Sequence, residues 1–111
     1  MSNAHIKGLT KHKRAIVDQV CSLIAEEFAI DREDLFKKSR ASRYSIPRSV
    51  AAGILRLHYG IQHQVIADYF GYASHSSVAH AVRSVDNKMK TNPELVPIIQ
   101  SIVKSVKIND N

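Results

Sequence analysis

A chain of 111 residues has room for one domain with one modest core, and 44% hydrophobic against 23% charged residues excludes a disordered polyelectrolyte. No apolar run approaches the ~18 residues of a membrane span, and a single cysteine excludes an internal disulfide. The formal net charge of +6 directs attention to a polyanionic partner.

Hydropathy patterning predicts an all-α fold, a compact bundle of about six helices containing a helix-turn-helix. Residues 1–9, with the cloning-remnant-like Ser2-Asn3-Ala4, read as a tag-like or disordered start outside the fold. Thr10 caps a helix from about Lys11 to Phe28, with Val17, Val20, Ile24 and Phe28 on one stripe and Leu23 beside it. Cys21 lies among these apolar residues and reads as a small core side chain rather than a reactive thiol; it fits a reducing cytosol. Asp31 then caps a short turn through Asp34 and Phe36, its acids suiting the positive end of the helix dipole.

Residues 37–45 show neither helical nor strand period and read as a basic loop. Ser45 and Pro47 mark the next helix start, because the first turn does not need the N–H that proline lacks. This helix runs to about Tyr59, with Val50, Ile54 and Leu57 inward, Arg48 and Arg56 toward solvent, and Gly60 as its terminator. A shorter helix follows from about Gln62 to Phe70, with Val65, Ile66 and Tyr69 inward, and Gly71 ends it. Ser74 caps a helix from about His75 to Lys90 whose core stripe is Val78, Val82, Val85 and Met89; Ser77, His80, Arg83 and Ser84 lie off that stripe. Asn92-Pro93 breaks the chain before a last helix with an apolar face of Leu95, Ile98, Ile99, Ile102 and Val106. The domain is expected to span residues 10–107, with a frayed tail at 108–111.

The charge is concentrated. Between Leu35 and Val85 there are seven Lys or Arg residues and one acid, Asp68, so this stretch carries +6 by itself. Gln62–Arg83 within it has the build of a helix-turn-helix. Ala67 is small enough for a close crossing, Gly71 supplies a positive-φ turn, and Val78 locks the second helix onto the first. The first turn of that second helix can then enter a major groove. The same pattern also describes an ordinary helical corner in a bundle. The basic run Lys37, Lys38, Arg40, Arg43 reads either as solvated surface or as an arm for the minor groove, with Ser39 and Ser42 near phosphates.

Three landmarks carry a family resemblance: Ile46-Pro47-Arg48 after the basic loop, Ala67-Asp68-Tyr69-Phe70-Gly71, and His75-Ser76-Ser77-Val78-Ala79-His80-Ala81. From about Ile16 to Val106 the chain resembles the C-terminal DNA-binding domain of the bacterial replication initiator DnaA, a Trp-repressor-like helix-turn-helix. His75, Val78, His80 and Ala81 match the family's last landmark in register. The resemblance implies that Arg40 reaches the minor groove, that Ser74, His75, Ser76 and Ser77 face bases, and that Arg56 holds a phosphate, with Arg48 matching another family Arg. By their own charge and place Lys37, Lys38, Arg43, Arg48, His80 and Arg83 are expected on phosphates, Arg43 also helping Arg40. It implies double-stranded DNA as partner, a role in replication or transcription control, and a place in the cytoplasm at the bacterial nucleoid. The chain departs from the family where an Arg-Asp pair is Ala73-Ser74, a Gly is Tyr72, and two Thr are Ser76 and Ser77.

Other chemistry has little support. His75 and His80 are five apart rather than the four that place two ligands on one helical face, so no metal is expected. No Gly-rich phosphate loop with a Lys occurs in this stretch of chain, so no nucleotide-binding domain and no cofactor are expected. Nothing suggests a nucleophile with its base, and the chain is read as a non-enzyme. The alternatives to duplex binding are a protein-interaction module whose apolar last helix packs on a partner, and a basic domain for structured RNA. The sequence assigns no oligomeric state.

Overall fold

A computed structural model describes residues 10–36 and 41–107. Among the described residues there are five α-helices, one 3-10 turn and no strand. The helices are α1 (Lys11–Glu27), α2 (Ser42–Leu57), α3 (His63–Phe70), α4 (His75–Thr91) and α5 (Leu95–Ser105), and the 3-10 turn is Arg32–Phe36. No helix among these residues is long and apolar enough to cross a membrane.

Helix ends follow from local chemistry. Thr10 Oγ1 accepts from the Lys13 N–H at 3.2 Å and starts α1. The 3-10 turn is capped in the reverse sense to that expected: Asp34 Oδ2 accepts from the Asp31 N–H at 3.2 Å. Gly71 ends α3 with φ +75°, and the Tyr72 N–H reaches back to the Ala67 carbonyl at 2.9 Å, which satisfies a carbonyl the helix end would otherwise orphan.

The α2 start differs from expectation. The helix begins at Ser42, so residues 42–45 are helical rather than loop and Pro47 is the sixth helical residue. The Tyr44 and Ser45 N–H groups both bond the Ala41 carbonyl, and that first turn forms before the proline can interrupt it. Lys37, Lys38, Ser39 and Arg40 lie outside the described residues, as do 1–9 and 108–111.

The α2 helix is the axis of the bundle. Val50 through Leu55 are all buried, because α1, α3, α4, α5 and the 3-10 turn surround it. A Cβ built on Gly53 would lie 3.0 Å from Val85 Cγ1, so glycine here lets α4 pack tightly on α2. Leu57, expected inward, is 54% exposed at the last residue of α2. Phe28 and Met89 are only partly buried at the rim of the core. The apolar face of α5 is consumed internally: Leu95, Ile99 and Ile102 are buried, and α5 packs on α1, α2 and α4. That removes the basis for reading it as a partner-binding face. Gln19 clamps the end of the domain, donating to the Lys107 carbonyl at 2.8 Å and accepting from its N–H at 2.7 Å.

Candidate nucleic-acid interface

The α3–α4 pair is anchored to the bundle from both sides of its turn. The Tyr69 hydroxyl donates to Asp18 Oδ1 on α1 at 2.8 Å, and Arg32 Nη2 joins both, 2.8 Å from the same carboxylate oxygen and 3.2 Å from the hydroxyl. Burial and the bond to Asp18 push the Tyr69 hydroxyl up to about 12. Cys21 lies buried beside this group, and burial drives its thiol up to about 12, which leaves it inert as a nucleophile. On the other side, the Tyr72 ring meets Phe70 edge-on at 6.5 Å. Its buried hydroxyl has no hydrogen-bond partner among the described residues, and burial raises its pKa against the opposing effect of Ser49 and Arg48 on α2. A tyrosine ring thus packs against the core at this turn, where the resembled family has a glycine.

The recognition-helix candidate, α4, begins at Ser74. Its Oγ accepts from the Ser77 N–H at 3.3 Å and lies 3.3 Å from Ser77 Oγ, so two of the four residues expected to face bases hold each other. Ser74, His75 and Ser76 are exposed and Ser77 is half-buried. Ser76, His80 and Arg83 fall at i, i+4 and i+7 and form one exposed stripe, with Val78, Ala81, Val82 and Val85 on the buried side. The uncapped first N–H groups and the helix dipole give this end partial positive charge.

The remaining candidates are spread over α2. Arg43 is exposed, with its guanidinium carbon 5.2 Å from the Tyr44 ring centre. Arg48 is half-buried, its Nε donating to the Leu35 carbonyl at 2.9 Å, so it is committed inward rather than to solvent as expected. Arg56 is half-buried too, with Nη1 on the Ile61 carbonyl at 3.3 Å. Three further polar residues of α3, to which the sequence assigns no role, lie beside the head of α4. His63 lies close enough to Arg56 and His75 for their charge to lower its pKa, after burial as the larger cause. Gln64 Oε1 contacts His75 Nε2, and Gln64 Nε2 donates to Asp68 Oδ1 at 2.7 Å. The one available signal was the i, i+4 spacing of Gln64 and Asp68. Among the described residues no three His, Cys, Asp or Glu side chains gather as a metal ion needs.

Comparison with known proteins bears on this geometry. The family model described as the bacterial dnaA protein helix-turn-helix matches residues 17–85. The chromosomal replication initiator protein DnaA of Acholeplasma laidlawii (strain PG-8A) is 30% identical over 89 residues, which cover 80% of this chain and 20% of that protein. The protein of the same name from Nautilia profundicola is 30% identical over 93% of this chain and 24% of its own length. That of Treponema denticola is 24% identical over 96% of this chain and 23% of its own. The chain thus spans a fifth to a quarter of the length of these curated relatives.

Proposed function

From the premise that this chain belongs to the bacterial DnaA helix-turn-helix family, we propose that it binds double-stranded DNA with sequence preference and acts in the control of DNA replication or transcription. The observation that carries the reading is the exposed stripe Ser76, His80, Arg83 on α4, opened by a capped helix N-terminus just past the left-handed Gly71 turn. A major groove admits one α-helix, and the first residues of that helix meet base edges. In this reading α4 enters the groove, with Ser76 and His75 nearest the bases and Ser74 and Ser77 shaping the helix end. His80, Arg83, Arg43 and Arg56 reach phosphates, and Arg48 supports the turn from behind. Lys37, Lys38 and Arg40 add backbone and minor-groove contacts on the strength of sequence alone. The name of the relatives, chromosomal replication initiator, supports the process; the reading assigns binding rather than catalysis, at the bacterial nucleoid.

The test is salt dependence. With about five phosphates neutralised, log K should fall against log salt with a slope of about −4 to −5. Affinity unchanged between low and physiological ionic strength would refute electrostatic duplex binding.

A further inference from the structure

The His75 ring at the head of α4 is held from α3. Its Nε2 contacts Gln64 Oε1, and the nitrogen of the same amide donates to Asp68 Oδ1 at 2.7 Å. The direction of this chain is fixed by chemistry. A carboxylate only accepts, so the Gln64 NH2 must face Asp68 and its carbonyl oxygen must face His75. That oxygen also only accepts, so His75 Nε2 must carry a proton. In the neutral ring Nδ1 is then a bare acceptor, and it is the one polar ring atom with no partner among the described residues.

Asp68 also poses an electrostatic question. It is the single acid between Leu35 and Val85, it is exposed, and it stands close to the helix end assigned to a polyanion. A carboxylate there weakens phosphate binding. Orienting the Gln64 amide is a use that requires an acceptor-only group at this spot.

We propose that Gln64 and Asp68 are positioning residues that fix the tautomer and orientation of His75. The neutral ring then presents Nδ1 as an acceptor and selects a base carrying an amino group, cytosine or adenine, at one position of the bound site. This rests on the reading of α4 as the groove-entering helix. All three side chains are exposed, so the variants that test the proposal keep the core intact.

The experiment has two arms on the full chain. In the first, long-range proton–nitrogen correlation spectra of the histidine rings are recorded without DNA at about pH 8, above the ordinary histidine range. Wild type should show His75 with Nε2 protonated and Nδ1 bare, and Gln64→Met should show a mixture of tautomers. Equal mixtures in both proteins overturn the relay. In the second arm, wild type, Gln64→Met and Asp68→Asn compete for duplexes varied one base pair at a time around a selected site. Both variants should lose about tenfold discrimination at the same single base pair. Affinity for scrambled duplex should be unchanged in Gln64→Met and, with a negative charge removed, equal or higher in Asp68→Asn. A loss spread evenly over the site, or no loss, overturns the base-reading role. If wild type binds no duplex at all, the DNA reading itself falls, and the first arm still decides whether the relay exists.

Discussion

At the residue scale the candidate interface is a matter of protons and donors. His63 stands half-buried on α3, and burial, with Arg56 and His75 adding repulsion, holds its pKa below the ordinary histidine value. The sign for stability follows from linkage. The unfolded chain binds this proton more readily than the folded one, so stability rises with pH across the window below about 6.5 and is lost as pH falls through it. Thermal melting between about pH 7.5 and 5.5 should therefore show a decline that His63→Gln makes shallower. The same slope in both proteins would mean that His63 is not perturbed by folding.

Elements are placed by close approach and by a few long-range bonds. Gly53 is one place where α2 and α4 pack tightly. An alanine there gains about 1 kcal/mol of helix propensity but puts its Cβ 3.0 Å from Val85 Cγ1 and 3.2 Å from Val85 Cβ. The Val85 Cβ is fixed to the α4 backbone and cannot swing aside, and overpacking of this kind costs about 1–3 kcal/mol. Gly53→Ala should be destabilising by about 1 kcal/mol, and Val85→Ala in the same chain, which removes the Cγ1 contact and leaves the Cβ one, should recover part of that loss. Urea unfolding of the two single variants and the double tests this. Strict additivity would show that the contact is not strained. The consequence for function is direct, since α4 is the helix assigned to the groove and any shift in its seat moves Ser76 and His80 with it.

For the whole molecule, charge and specificity separate. On the proposed reading, the +6 stretch supplies attraction to any duplex, while the departures Ala73, Ser74, Ser76 and Ser77 bear on which sequence is preferred. Ser74 spends its hydroxyl on the α4 cap and on Ser77, and a serine lacks the methyl with which threonine touches thymine. Wild type should bind the box of the resembled family only weakly above scrambled duplex. Ala73→Arg, Ser74→Asp, Ser76→Thr and Ser77→Thr together should shift preference toward that box. Ala73 is exposed and leaves room for the longer side chain, and Asp still caps the helix. Titration of both proteins against both duplexes at one salt concentration decides it. Strong wild-type preference for the family box would mean that the departures are tolerated.

The sequence by itself determined what depends on neighbours along the chain. The Thr10 and Ser74 caps, the left-handed Gly71, the α4 stripe and the confinement of charge are local or additive, and all could be read from residue order. It also carried the family, through motifs matched in register. Only the tertiary structure decided what depends on atoms brought from elsewhere. Periodicity put Leu57 inward because Val50 and Ile54 precede it, yet α2 is enclosed on all sides from Val50 to Leu55, so no single stripe marks its buried face. Pro47 suggested a helix start because local rules place it in a first turn, whereas Ser42–Ile46 already form helix on the Ala41 carbonyl. Helical spacing places Arg48 toward solvent, whereas its Nε donates to the Leu35 carbonyl brought beneath it by the 3-10 turn. The bonds from Tyr69 to Asp18 and from Gln64 to His75 join residues 51 and 11 apart in the chain. A hydrogen bond is directional over about 3 Å, and only the packing of the helices brings those partners within that distance.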